Sequence, residues 1–183
     1  MNRDWCTWDE DYKSIVQDIR SSLLALSNGG DEYSTVLMQG SGTFSVEAVL
    51  WTCLKPEDKI LVLSNGAYGK RMAKIVCLMG IKLELLDLEE HEQASPEKVE
   101  ELLKQNPDIT HIGMVHSETT TGMLNDYAPI AELADKYNKC FILDAMSSFG
   151  GVPLDIRSPK IDFLISSANK CIQGVPGFGF IIA

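Results

Sequence analysis

Apolar residues recur along this chain with two different periods, and the alternation between them sets the expected architecture. From Asp9 to Leu26, Ile15, Ile19, Leu23 and Leu26 stand at helical spacing among charged residues, and "SNGG" ends the run. The spacing predicts an amphipathic helix. Short apolar runs follow at "STVLMQ", "KILVLS", "IKLELLDL", "THIGMVHSE", "CFILDAM", "DFLISSA" and "FGFIIA". Their brevity and their apolar character on both faces predict buried strands. Between them, "GSGTFSVEAVLWTCL", "NGAYGKRMAKIVCLMG", "SPEKVEELLKQ" and "APIAELADKYN" read as loops opening into helices, with Ser95 as a cap and Pro96 in a first helical position. Strands alternating with helices predict an α/β fold: a three-layer αβα sandwich around a mostly parallel sheet. Only the loop around Lys170 separates the last two strands, which leaves that pair open to antiparallel pairing.

Composition narrows the function classes. The 183 residues suit a single domain over 1–183, and 45% hydrophobic with 23% charged residues suits a packed core. A net charge of -10 argues against nucleic-acid or anionic-membrane binding, because both need a basic footprint, so any phosphate must be held locally. No apolar run approaches a membrane span, and the start "MNRDWCTWDEDYKS" has no apolar signal core, so an intracellular, cytoplasmic protein is expected. The five cysteines are widely spaced with no CxxC pair, which predicts reduced and mostly buried thiols. His91, His111 and His116 form no metal pattern, and no metal is expected. The chain stops inside an apolar strand, so a longer parent is expected.

The chemistry concentrates in the loops. In open parallel sheets ligands bind beyond the carboxyl ends of the strands, so "QGSGT", "SNGAYG", "HSETTTG", "DAMSSFGG" and "SSANK" should converge on one crevice. Gly40 and Gly42 let backbone approach an anion, while Ser41 and Thr43 offer hydroxyls at a helix start. A plain helix cap fits the same residues. Asp144 follows "CFIL", where a buried strand emerges, and needs a cationic or donor partner unless it merely caps a turn. Lys170 follows "DFLISSAN" in the same way, and a lysine in a low-dielectric site can lose its proton and form a Schiff base. An anion cup, an acid at a strand exit and a lysine come in the order expected for a phosphate-bearing pyridine cofactor.

Taken together, "GSGT", "NGAYG", "HSETTTG", "DAMSSFGG" and "SSANKCIQGVPGFGF" resemble the class V, fold type I pyridoxal-phosphate aminotransferases, most closely their 2-aminoethylphosphonate–pyruvate group, from about Trp5 to Ala183. The resemblance implies pyridoxal 5'-phosphate as cofactor, 2-aminoethylphosphonate and pyruvate as substrates, and a homodimer. It matches Lys170 to the Schiff-base lysine and Asp144 to the acid beside the pyridine nitrogen. It matches Ser41, Gly42 and Thr43, with Asn169, to the phosphate cup, and Thr119 to the contact with the ring hydroxyl. Tyr68 and Met146 take the two faces of the cofactor ring. Family members are about twice this length, and their small C-terminal domain carries an arginine that grips the substrate acid. That part has no counterpart here, which leaves open alanine–glyoxylate or serine–pyruvate transamination, or a non-catalytic relative that acts by pairing with another subunit. "GSGT" lacks the GxGxxG spacing of a dinucleotide-binding fold, and no acid follows at the ribose distance.

Overall fold

A computed structural model describes residues 4–183. Helix α1 (Glu10–Leu26) starts at Asp9 with Glu10 and Asp11 in its first turn, where negative charge suits the helix dipole. A single 3-10 turn at Gly30–Glu32, which the apolar pattern does not mark, leads into strand β1 (Thr35–Gln39). Helix α2 (Gly42–Cys53) is capped by Ser41, whose Oγ accepts the Phe44 N–H at 3.1 Å. Strand β2 (Lys59–Ser64), helix α3 (Ala67–Leu78) and strand β3 (Lys82–Asp87) follow. Helix α4 (Pro96–Gln105) has Ser95 at its cap, accepting the Lys98 N–H at 3.3 Å, and Pro96 in its first turn, as the sequence predicts.

The next segment departs from the expectation of one long strand over "THIGMVHSE". Strand β4 (His111–Val115) stops short, and a separate two-residue strand β5 (Ser117–Glu118) pairs antiparallel with β6 (Met123–Leu124). The break has a cause: the His116 carbonyl accepts the Asn125 N–H at 2.8 Å, which turns the chain into a hairpin. Helix α5 (Ala128–Lys136) then leads to β7 (Cys140–Asp144), β8 (Phe163–Ser167) and β9 (Phe178–Ile182).

The seven long strands form one sheet in the order β1-β9-β8-β7-β4-β2-β3. Only β9 runs against the rest, antiparallel to β8 on one side and to β1 on the other. The short connection through Lys170 thus joins neighbouring antiparallel strands. Residues of a strand alternate between faces, and both faces are covered. Leu61, Leu63, Ile112, Met114, Phe141 and Leu143 pack with Leu23 of α1, Val99 and Leu103 of α4 and Ile130 of α5. Ile60, Val62, Ile142, Ile165 and Ile181 meet Val46, Val49 and Leu50 of α2 and Met72 and Val76 of α3. The result is the αβα sandwich expected from the alternation.

Two sheet glycines set how closely the second layer docks. A Cβ at Gly113 would stand 2.7 Å from the Met72 Sδ, and one at Gly179 would stand 2.2 Å from the Ser45 Oγ. The cysteines correct an expectation: Cys6, Cys77 and Cys171 are exposed, and Cys53 and Cys140 are half-buried. The exposed three lie on loops and an outer helix face, while Cys53 and Cys140 pack against the edge of the core.

Candidate active site

Because the strands around it run in parallel, the loops after β1, β2, β4, β7 and β8 open at one end of the sheet. Asp144 closes β7 there. Its backbone stays in the ladder, with its carbonyl accepting the His116 N–H at 2.8 Å and the next amide donating to Ile165. Its side chain points to the α2 and α3 face and is buried, with 4% exposed. The carboxylate Oδ1 accepts the Met146 N–H at 3.0 Å, a local turn contact, and no ion pair reaches it among the described residues. Burial dominates, the amide opposes it and Glu118 adds repulsion, so the Asp144 pKa is pushed up to about 6.

Asp144 lines a small pocket together with Thr43, Tyr68, Arg71 and Met146, over a floor that includes Val46 and Met72. The Arg71 guanidinium lies 5.1 Å from the Tyr68 ring centroid and donates to the Thr43 Oγ1 at 3.4 Å. Thr43 stands at the start of α2, where the first amides of a helix have no intrahelical acceptor. The packing admits no side chain at residue 42: a Cβ on Gly42 would sit 2.4 Å from the Met146 Sδ. One pocket therefore has a buried carboxylate on one wall and a cation beside a helix N-terminus on another. Wider clefts exist elsewhere, one of them between α5 and the start of β7, but that one is lined by Lys139, Lys160, Asp135 and Asp162, which lie at the opposite end of the sheet from these loops.

Of the residues singled out in the sequence, the structure brings Thr43, Tyr68, Asp144 and Met146 to this pocket and sets Gly42 against Met146. Ser41 serves as the α2 cap, so the plain reading of that serine also holds. Thr119 is not on the pocket wall; its hydroxyl donates to the Ser147 Oγ at 3.0 Å, and Ser147 donates to the Ser117 carbonyl at 2.7 Å. Asn169 and Lys170 are exposed on the loop between β8 and β9. That loop is held by the Gly174 N–H on the Ala168 carbonyl and by the Gly40 N–H on the Gly177 carbonyl, at 2.8 and 2.9 Å. The second contact ties the lysine loop to the glycine loop before α2.

Sequence reasoning missed Arg71, Glu118, Asn65 and Asn125. Glu118 is fully buried and accepts the amides of Tyr68 and Gly69. Asn65 and Asn125 exchange side-chain hydrogen bonds at 2.7 and 3.2 Å, joining the loop after β2 to the β5–β6 hairpin. His116 is buried too, its Nδ1 2.8 Å from the Ser148 Oγ and its ring edge-on to Tyr127 at 5.0 Å. Burial lowers its pKa against the opposing pull of Asp126. No group of three or more His, Cys, Asp or Glu among the described residues is placed to hold a metal, and no helix is long and apolar enough to cross a membrane.

A sheet with one reversed strand beside a lysine loop, covered on both faces and opening on this pocket, has the fold of the fold type I pyridoxal-phosphate aminotransferases. The backbone superposes with a TM-score of 0.92 on ureidoglycine–glyoxylate aminotransferase from Bacillus subtilis, at 25% identity over 100% of this chain and 46% of that one. It superposes with a TM-score of 0.91 on pyridoxamine–pyruvate aminotransferase from Mesorhizobium loti, at 24% identity over 98% and 45%. The chain belongs to the class-V aminotransferases, whose family model matches residues 2–183. It is 56% identical, over its full length, to 49% of a 2-aminoethylphosphonate–pyruvate transaminase from Syntrophobacter fumaroxidans. It is 54% identical to 29% of a bifunctional phosphonoacetaldehyde hydrolase/aminoethylphosphonate transaminase from Clostridioides difficile. The chain thus spans half or less of the length of these relatives.

Proposed function

We propose that residues 1–183 form the cofactor-binding large domain of a pyridoxal 5'-phosphate-dependent transaminase that moves the amino group of 2-aminoethylphosphonate to pyruvate, giving phosphonoacetaldehyde and L-alanine. Identity above half with relatives of that name supports the substrates. The observation that carries the chemistry is Asp144: a buried carboxylate on a pocket wall, with one amide donor and no ion pair among the described residues. A protonated ring nitrogen would supply the counter-charge, and the pocket's opposite polarity at Arg71 and the α2 N-terminus suits a phosphate. The residues fit the group.

When bound, pyridoxal phosphate supplies an electron sink for the carbon next to the amine. Asp144, as carboxylate, would keep a proton on the ring nitrogen. Ser41, Gly42 and Thr43 would hold the phosphate through hydroxyls and amides, with Asn169 beside them, and Thr119 would meet the ring hydroxyl. Tyr68 and Met146 would flank the ring. The Lys170 carbonyl accepts the Gln173 N–H at 2.8 Å, but its side chain has no hydrogen bond or ion pair among the described residues, so its amine is free for the covalent attachment. Its Nζ would serve as the general base that takes the proton from the substrate carbon and as the general acid that hands it on. A cytoplasmic homodimer completes the proposal, and the exposed Phe44 and Trp51 on α2 give such pairing an apolar surface.

The test is peptide mass spectrometry after incubation with pyridoxal phosphate and borohydride. A pyridoxyl group on Lys170, absent from Lys170→Ala, is the expected result. Label spread over surface lysines in both proteins overturns the assignment. Bleaching of the bound cofactor's absorbance by 2-aminoethylphosphonate is the expected result, and bleaching by alanine or serine without any by 2-aminoethylphosphonate points instead to alanine–glyoxylate or serine–pyruvate transamination.

A further inference from the structure

Glu118 is 0% exposed, yet no cation pairs with it among the described residues. A buried carboxylate without donors would be costly, so its partners define its purpose. They are the Tyr68 N–H, 3.2 and 3.1 Å from its two oxygens, the Gly69 N–H at 3.3 Å, and the Thr120 hydroxyl at 3.1 Å. Tyr68 and Gly69 are the second and third residues of α3, a helix whose own cap position, Gly66, offers no side chain. A carboxylate from 50 residues further along the chain supplies the missing cap, where negative charge also suits the helix dipole. Gly66 is tied to the same arrangement, since a Cβ there would lie 2.2 Å from the Glu118 Cγ.

The neighbours of Glu118 reach the other side of the pocket. Thr119 donates to Ser147, which follows Asp144 by three residues, and Ser147 donates back to the Ser117 carbonyl. Residues 117–120 therefore touch both the backbone that carries Tyr68 and the loop that carries Asp144. We propose that Glu118 is a positioning residue of the site: it clamps the first turn of α3 so that Tyr68 is held against the Asp144 wall. This role rests on the pocket being the cofactor site. Its charge also adds to the field on Asp144, behind the larger effect of burial.

The test has two arms on the 183-residue chain. Without cofactor, amide hydrogen exchange in Glu118→Gln is expected to quicken in peptides covering 66–72 and to stay as in the parent elsewhere. Uniform quickening, or none, overturns the clamp. With cofactor, a double-mutant cycle on pyridoxal phosphate affinity uses Glu118→Gln, Tyr68→Ala and both together. Losing one charge-assisted cap is expected to weaken binding about tenfold, and adding it to Tyr68→Ala to cost nothing more. Effects that multiply show that Glu118 acts on the fold at large, and overturn the role. The visible circular dichroism of the bound cofactor, which reports its orientation against Tyr68, should change in Glu118→Gln. Thr120→Val removes one hydroxyl contact and should give a smaller change in the same direction, which keeps the test usable if Glu118→Gln does not fold. If the parent chain takes up no cofactor on Lys170, the cofactor assignment fails, and the exchange arm still decides the clamp.

Discussion

The two ends of the sheet treat negative charge in opposite ways. At the amino ends of the strands, carboxylates meet lysines near solvent: Lys59 with Glu84 and Asp108, Lys160 with Asp162, and Glu100 between Lys104 and Lys136. Hydrogen bonds from Lys136, Lys104 and Tyr137 hold the Glu100 pKa down to about 2. At the carboxyl ends, the two buried carboxylates Asp144 and Glu118 have amides and a hydroxyl as donors, and burial moves Asp144 the other way, to about 6. One end neutralises its charges within the chain. The other pairs Asp87 with Lys70 near solvent but keeps Asp144 buried with no ion pair among the described residues.

The sharpest way to break this comparison is Asp144→Asn. It should slow the amine half-reaction of the cofactor-loaded chain by about 10²–10³, the scale of losing one fixed charge partner in a transition state. The same change should stabilise the empty protein. The folded Asp144 pKa lies above its ordinary value of 3.8, so the folded state binds that proton more tightly and stability falls as pH rises through the window from 3.8 to about 6. Above it the full cost stands, about 3 kcal/mol from a shift of that size. Thermal melts of Asp144→Asn should therefore show a gain at pH 8 that fades towards pH 4. A gain that persists at pH 4 would show that ionisation is not its source.

A smaller effect concerns His116, buried behind Asp144. Its folded pKa lies below 6.5, so the protein loses stability as pH falls below that value. His116→Gln should flatten the acid limb of the melt profile between pH 6.5 and 5, beside a pH-independent loss from its contacts with Ser148 and Tyr127. The smallest effect belongs to the other end: Glu100→Gln should shift the midpoint slightly at low salt and not measurably at high salt, because exposed ion pairs are screened. A large, salt-independent loss there would erase the contrast between the two ends.

Much of the fold is written in local pattern. β2 at Lys59–Ser64 and α4 behind Ser95 and Pro96 follow from residues within one window, and the reversal of β9 follows from a connection too short for a crossover helix. Asp144 and Thr43 are legible for a similar reason: one ends a strand and the other lies in the first turn of a helix that the spacing already marks. The rest depends on partners far away in sequence. The break at His116 is decided by the Asn125 amide and by the Asn65–Asn125 pair, none of which the run "THIGMVHSE" contains. Glu118, flanked by serine and threonines, reads as a solvated loop acid until the α3 amides arrive. Arg71 reads as the charged face of a helix, and only the tertiary fold lays it over Tyr68.

One pairing also orders events in time. The first strand of the sheet, β1, has β9 as its one strand partner among the described residues, with Ser34 and Ala183 extending the ladder, and the Gly40 amide reaches Gly177. During synthesis, which proceeds from the amino end, β1 and the glycine loop after it stay without their neighbour until nearly all of these residues have emerged. The lysine strand is thus the piece that closes the sheet. The glycine loop before α2 and the lysine loop, more than a hundred residues apart in sequence, are fastened in the same step, so neither takes its final shape before the other.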